Sequence, residues 1–274
     1  MATPVQFLLG THQPGWLRTA GVPLFVSDTR LRGYKTLPRA VSPFAVDSGG
    51  FTELQRCGEW TVSPRDYVAR LRRYRDEVGQ LLWAAPQDWM CEPVIINGGI
   101  VNGQRFVGTH LTVEEHQRRT VLNYLRLREL APELNIIPVV QGDGPDAHRR
   151  CVDLYWTLGR VDLTEQPLVG VGSVCRLQAS SMAGRILAAL HQRGVTRLHG
   201  FGFKTLGLIA HGHRLTSADS LAWSIDARRI GTPLPGCTRH RNCANCLRYA
   251  LRWRHSVLAA AHARRHIQGE LFDA

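Results

Sequence analysis

The stretch Phe44-Ala45-Val46-Asp47-Ser48-Gly49-Gly50-Phe51 decides how the rest of the chain is read. Its first three residues are apolar and compact, as a buried strand requires. The strand then ends on a carboxylate, a hydroxyl and two glycines. Paired glycines let the backbone turn sharply and come close to a ligand. A carboxylate at the tip of a buried strand is costly unless it is solvated, paired or used. On this stretch alone, a turn-forming aspartate and a catalytic acid at the mouth of a barrel are both open.

Outward from this stretch the same pattern repeats. Residues 5–9 form a short apolar run, read as a first strand, and the loop after it places His12 and Trp16 as candidates to line a site. Residues 17–42 show no strong period and receive no assignment. Downstream, Ser63-Pro64 joins an N-cap to a proline at the first helical position. Tyr67, Leu71, Tyr74 and Val78 then recur at helical spacing. Residues 81–85 read as a strand ending in Pro86-Gln87-Asp88-Trp89-Met90, and a loop rich in glycine and asparagine runs to about Gly108. Long loops of this kind in compact domains are often functional. Thr112 with Glu115 makes a capping box for a helix through about Leu130.

The β-branched run 136–140 ends in Gln141-Gly142-Asp143-Gly144, and a helix is expected over 146–158. Strand 168–171 ends in Gly172-Ser173, helix 180–193 closes at Gly194, and strand 195–199 ends in Gly200-Phe201-Gly202. A short helix spans 206–210, and Asp219 then sits among small residues in Thr216-Ser217-Ala218-Asp219-Ser220.

Strand, polar tip and helix in repeated order imply a parallel sheet covered by helices. With 274 residues and about seven or eight such units, an α/β fold closed as a (β/α)8 barrel fits best. A doubly wound open sheet is the alternative. No tip carries a GxGxxG turn or a GxxxxGK[ST] loop, so nothing supports nucleotide-cofactor binding. In a barrel the active residues lie at the C-terminal ends of the strands. Asp47, Asp88, Gln141, Gly172, Ser173, Phe201 and Asp219 all fall there.

Net charge is +12, and of the 34 basic residues only Lys35 and Lys204 are lysines. Arginine favours planar, bidentate contact with phosphate. Between Arg228 and His266 there are nine arginines and no Asp or Glu, a one-signed segment suited to a nucleic-acid backbone. No apolar run reaches the roughly 18 residues of a membrane span. Met1-Ala2-Thr3-Pro4 does not open a signal peptide. A cytoplasmic protein is expected.

Four of the seven cysteines are scattered, but Cys237, Cys243 and Cys246 lie close together. With His240 they read C-x2-H-x2-C-x2-C, a donor set for one tetrahedral, structural zinc ion. His255 is the rival fourth ligand. It would stand roughly 13 Å beyond Cys246 along a continuous helix over 247–266. The expected division is a barrel over 1–230 and a zinc-binding subdomain with a basic C-terminal helix over 231–274.

With these motifs in order, the chain resembles the tRNA-guanine transglycosylase superfamily. The resemblance rests on Asp47-Ser48-Gly49-Gly50-Phe51, Val140-Gln141-Gly142, Val169-Gly170-Val171-Gly172, Asp219 and the three-cysteine site. It covers most of the chain from about residue 40 to 255. It is nearer still to the DNA-directed branch, the deazapurine DNA-modification transglycosylases of phages and bacterial genomic islands. The stretches 84–93, 170–176 and 217–224 look like that branch. Its zinc spacing is wider at the start than that of the tRNA enzymes, which leaves the fourth ligand open between His240 and His255.

The resemblance implies exchange of guanine in DNA for a 7-deazaguanine, 7-cyano-7-deazaguanine being the simplest donor. Asp219 matches the nucleophile, which forms a covalent glycosyl-enzyme, and Asp47 matches the general acid/base. Asp88 matches the reader of the guanine edge, with Gln141 and the Gly172 backbone on the O6 face, Ser48 and Ser173 beside them and Phe51 stacking on the base. DNA, the free base and other DNA-modification proteins are the implied partners, with no membrane. The rival readings are the same chemistry on tRNA, and a zinc-stabilised DNA-binding protein without chemistry.

Overall fold

A computed structural model describes residues 5–270, with side chains to residue 263. Residues 1–4 and 271–274, the outer limits of the expected division, lie outside the described residues. The barrel strands are β1 (Gln6–Thr11), β2 (Leu24–Ser27), β3 (Phe44–Asp47), β4 (Leu81–Ala84), β7 (Val139–Val140), β8 (Val169–Val171), β9 (Leu198–Gly200) and β10 (Ser217–Ser220). A separate antiparallel hairpin, β5 (Gly99–Val101) and β6 (Gln104–Phe106), interrupts the series.

The eight strands are all parallel, in the order β4-β3-β2-β1-β10-β9-β8-β7. The two ends of that order meet. A parallel bridge joins Ala84 to Ile136, with Ala84 N donating to Asn135 O at 2.9 Å and Ile137 N to Ala84 O at 3.1 Å. The expected α/β barrel is therefore the fold, and the open doubly wound sheet is not.

Strands buried on both faces explain why the runs are apolar throughout rather than alternating. Leu8, Phe25, Ala45, Trp83, Ile137 and Leu168 pack as one cluster inside the ring. Their neighbours Phe7, Leu9, Leu24, Val26, Phe44 and Val46 pack outward in the cluster that also takes Tyr67, Leu71 and Tyr74 from a covering helix. Side chains alternate along a strand, so Asp47 shares the inward face of Ala45. Asp219 is the register partner of the inward Leu8. Both aspartates thus point into the barrel at its C-terminal end.

The helices are α1 (Asp28–Leu31), α2 (Gly50–Cys57), α3 (Pro64–Arg73), α4 (Pro93–Asn97), α5 (Val113–Leu130), α6 (Pro145–Gly159), α7 (Ser181–Gln192), α8 (Thr205–His211), α9 (Ala222–Ile230) and α10 (Leu247–Glu270). Ser63, Thr112 and Ser180 cap α3, α5 and α7, each accepting a backbone N–H from the first turn. The unassigned stretch 17–42 holds β2 and α1. Its strand is only four residues long and follows a proline, too short to show a period. The loop expected to Gly108 holds α4 and the hairpin. Helix α10 packs on α8, α9 and β1, and Ala250, Val257 and Ala261 are part of the main core. No described helix is long and apolar enough to cross a membrane.

Candidate active site

Asp219 Oδ1 accepts two hydrogen bonds, from Gly202 N at 3.0 Å and from His199 Nε2 at 3.3 Å. The other ring nitrogen of His199, Nδ1, meets the Ser217 hydroxyl at 2.8 Å. His199 is fully buried. Its ring is wedged by Trp83 at 4.7 Å and Phe201 at 4.8 Å, both edge-on. The turn after β9 delivers the Gly202 amide with φ +69°, and a Cβ there would overlap the Cys175 sulfur. His199 was not among the expected site residues. A single histidine in a short strand carries no spacing signal, and only the register with Ser217 reveals its partner.

Asp47 closes β3 opposite Ser27 in the register. Burial pushes its carboxyl up from 3.8 to about 6, and the Asp219 charge adds to the rise, while hydrogen bonds from the Gly49 backbone and the Ser27 side chain oppose it. Gly49 is required here. It starts α2 at φ +84°, and a Cβ would stand 2.5 Å from the Thr29 methyl. Ser48 is buried, and its hydroxyl has no hydrogen-bond partner among the described residues. Phe51 sits on the first turn of α2, is 37% exposed and meets Phe106 edge-on.

Asp88 follows β4 on the same end of the barrel. Burial, and next the Asp47 charge, raise its carboxyl to about 7. Gln141 Nε2 donates to Asp88 Oδ2 at 2.5 Å, and Gln141 Oε1 accepts from the Ser173 hydroxyl at 2.6 Å. Ser173 Oγ in turn accepts from Cys91 N and lies 3.1 Å from Glu92 Oε2. Glu92 is itself raised, mainly by burial. Gly172 makes this relay possible, because a Cβ there would overlap the Gln141 amide. Its own N–H is taken by Val140 O, and its carbonyl lies 3.3 Å from His148 Nε2.

The Asp88 loop is gripped from α5 by a buried polar face. Asn123 Oδ1 accepts from Gln87 N, Thr120 Oγ1 accepts from Trp89 N, and His116 Nδ1 bonds Met90 O at 2.7 Å. Gln117 Nε2 donates to Gln141 O and Ala147 O, both at 2.7 Å. His116 and Gln117 stand four and three residues before Thr120, and Asn123 three after it, the spacing of one helix face. Their polarity hides that face from a reading based on apolar periodicity.

Cys237, His240, Cys243 and Cys246 bring their ligand atoms within 4.8 Å of one another and can hold a metal ion. Cys237 Sγ and Cys246 Sγ are 3.9 Å apart, and His240 Nε2 is 3.3 Å from Cys243 Sγ. Such edges suit a tetrahedron with bonds of about 2.0–2.3 Å. His255 is exposed on α10 and outside this group. The knuckle sits beside the barrel mouth, where Asn245 Oδ1 accepts from His12 Nε2 and Ala244 O accepts from Ser224 Oγ. His12 also stacks on Trp223 at 5.5 Å, and Trp16 lies 5.1 Å from the same ring. Those two residues serve this junction. In the arginine-rich segment, Arg228, Arg229, Arg239, Arg241, Arg248 and Arg252 are exposed. Arg254 instead turns inward, 3.2 Å from Phe7 O.

A family model described as DpdA, DeoxyPurine in DNA protein A, matches residues 4–273. No curated protein matches the chain closely enough to count as a relative. Among solved structures, the carboxyl transferase domain of Rhizobium etli pyruvate carboxylase, solved with pyruvate, aligns at 13% identity and a TM-score of 0.37. The alignment covers 95% of this chain and 48% of that one, so the chain spans about half that structure's length, and at this similarity it carries no argument.

Proposed function

The chain belongs to the DeoxyPurine in DNA protein A family, a transglycosylase-like DNA-modification family, and from that premise we propose that it exchanges guanine in DNA for a 7-deazaguanine, with 7-cyano-7-deazaguanine as the incoming base. The observation that carries the reading is the convergence of three carboxylates at one end of the barrel, Asp88 and Asp219 buried and Asp47 half-buried, close enough for Asp219 to act on Asp47 and Asp47 on Asp88 electrostatically.

In this scheme Asp219 attacks C1′ of a flipped nucleotide and the C1′–N9 bond breaks. Two hydrogen bonds hold its Oδ1, which leaves Oδ2 to form the bond to carbon. Asp47, poised at about 6, protonates the departing guanine. Its carboxylate then takes the N9 proton of the arriving 7-deazaguanine, whose nitrogen attacks C1′ and releases Asp219. Two inversions restore the starting configuration, as in a retaining glycosidase.

Asp88 accepts from N1–H and the 2-amino group, a pairing that selects guanine over adenine. Gln141 Nε2 gives one hydrogen to Asp88 and has a second for O6. Ser48 supplies its unpartnered hydroxyl, Gly172 and Ser173 shape the pocket around Gln141, and Phe51 stacks at its edge. A zinc ion on Cys237, His240, Cys243 and Cys246 would hold the knuckle and the root of α10 against the mouth and take no part in the exchange. The exposed arginines from Arg228 to Arg252 contact the DNA backbone.

The test is base exchange. Duplex DNA is incubated with the protein and 7-cyano-7-deazaguanine, digested to nucleosides and read by mass spectrometry. The deaza-deoxynucleoside is expected with the wild type and not with Asp219→Ala or Asp219→Asn. Modification of tRNA alone would refute the DNA assignment. Full activity in both Asp219 variants would refute the nucleophile.

A further inference from the structure

A base inside a duplex must leave the stack before a barrel pocket can reach its sugar carbon, and the gap it leaves is commonly filled by an apolar wedge from the protein. We infer that the β5–β6 hairpin is that wedge, with Ile100 entering the duplex at the flipped guanine and Arg105 alongside it. The inference rests on the DNA-transglycosylase reading above.

The hairpin lies in the connection from β4 to α5, so it stands on the C-terminal face of the barrel, the face that carries Asp47, Asp88 and Asp219. Its turn, Asn102-Gly103, has φ of +51° and +73°, the pairing of a tight two-residue hairpin whose twist matches its strands. Its root is fixed to α2, the helix that grows from Gly49 and Gly50. Val107 N donates to Gln55 O at 3.0 Å and Gln55 Nε2 to Arg105 O at 3.4 Å. Phe106 is buried against Leu54, Trp89 and Ile95. The finger is therefore short, anchored and tied to the segment that holds the acid.

The two faces of the hairpin differ. Gly99 pairs with Phe106, whose ring faces the protein, and Ile100 pairs with Arg105. Alternation puts Ile100 and Arg105 together on the outward face. Ile100 is 77% exposed, the highest value among the described exposed large hydrophobic residues. A lone exposed aliphatic side chain needs no explanation. Here Val107 and Phe51, 41% and 37% exposed, lie at the root of the same finger. From Pro93 to Val113 there is no Asp or Glu, so nothing on the finger repels phosphate. An apolar tip beside an arginine, with no acid on its own segment, fits a DNA groove and not bulk water.

The experiment measures exchange by wild type, Ile100→Ala and Ile100→Asp on three substrates of one sequence: a perfect duplex, the duplex mismatched at the target guanine, and the single strand. Replacing a wedge leaves the unstacking cost uncompensated only where the base is stacked and paired. Exchange on the perfect duplex is expected to fall about tenfold or more, while the mismatched and single-stranded substrates stay within about twofold of wild type. Equal loss on all three substrates, no loss on the duplex, or wild-type exchange confined to single strands would each overturn the wedge. If the wild type exchanges nothing on any substrate, the functional reading has failed. The wedge is then judged by the fluorescence of 2-aminopurine placed beside guanines in a duplex: a rise with wild type that Ile100→Ala abolishes supports it, and no rise refutes it.

Discussion

The knuckle over Cys237 to Cys246 gathers its four ligand atoms from ten consecutive residues, whereas the barrel mouth gathers Asp47 and Asp219 from two strands and Asp88 from the loop after a third, spread over most of the chain. The two clusters answer different physical needs. The knuckle joins a few turns that have little core of their own, essentially Ala227, Cys243 and Ala244 with partly buried neighbours, and a bound ion would supply the missing cohesion. The mouth has cohesion to spare from the barrel beneath it. It uses that reserve to keep carboxylates where water cannot stabilise their charge. With an ion bound, the first cluster would hold structure together, and the second is held by it.

The largest expected effect breaks the first half of that comparison. Cys243 is fully buried, and its sulfur accepts from Leu234 N at 3.2 Å. Structural zinc in small modules contributes on the order of 10 kcal/mol to folding. Cys243→Ser, or treatment with a chelator, should lower the melting temperature by more than about 10 °C. His240→Ala should lose the metal while His255→Ala keeps it, read by elemental analysis of the purified variants. Loss of metal from the His255 variant and not from the His240 variant would reverse the ligand assignment.

A smaller effect sharpens the second half. His199 touches Asp219 through Nε2 and Ser217 through Nδ1, and the rest of its ring fills an aromatic cavity. His199→Phe keeps an aromatic ring and removes both hydrogen bonds, and Ser217→Ala, which removes only the bond on Nδ1, is the control and should leave kcat within about threefold of wild type. On the proposed chemistry, kcat for exchange should fall by about 10–100-fold, as loss of a charge-assisted bond of ~1.5–3 kcal/mol implies. KM for the free base should stay within about twofold, because Asp88 and Gln141 are untouched. A fall in kcat and a rise in KM together, with a lower melting temperature, would mark His199 as packing alone.

The same contrast explains what could be read before the structure. The barrel was legible because buried parallel strands are written as short apolar runs, each ending on a polar tip, as at Val46-Asp47 and Val140-Gln141. The knuckle was legible because chelation demands ligands at close spacing. β2 and the hairpin leave little mark in the sequence: Asn102-Gly103 is a strong hairpin signal, but strands of three residues show almost no alternation beside it. His199, Glu92 and the α5 face of His116, Gln117, Thr120 and Asn123 were invisible for another reason. Their meaning lies in partners across the barrel, at separations that no local pattern encodes. A functional site assembled by topology shows its tips in the sequence and hides the residues that orient them.

The smallest effect is a stability measurement that separates the two clusters by sign. Burial and the Asp47 charge raise the Asp88 carboxyl from 3.8 to about 7. Between about pH 4 and 7 the folded chain therefore holds a proton that the unfolded chain has already released. Stability falls as pH rises through that window, and the loss is complete above the folded value. Asp88→Asn removes this penalty and keeps an oxygen for Gln141 Nε2. The variant should melt a few degrees above wild type at pH 8, on the scale of about 2–4 °C per kcal/mol, with the gap closing towards pH 4. Exchange should be lost at the same time, because the new amide can no longer offer two acceptors to N1–H and the 2-amino group. A gain in stability joined to a loss of exchange is the mark of a residue held at the fold's expense. A variant less stable than wild type at pH 8, or a gap that does not narrow in acid, would instead place Asp88 with the knuckle, among the groups that hold the structure together.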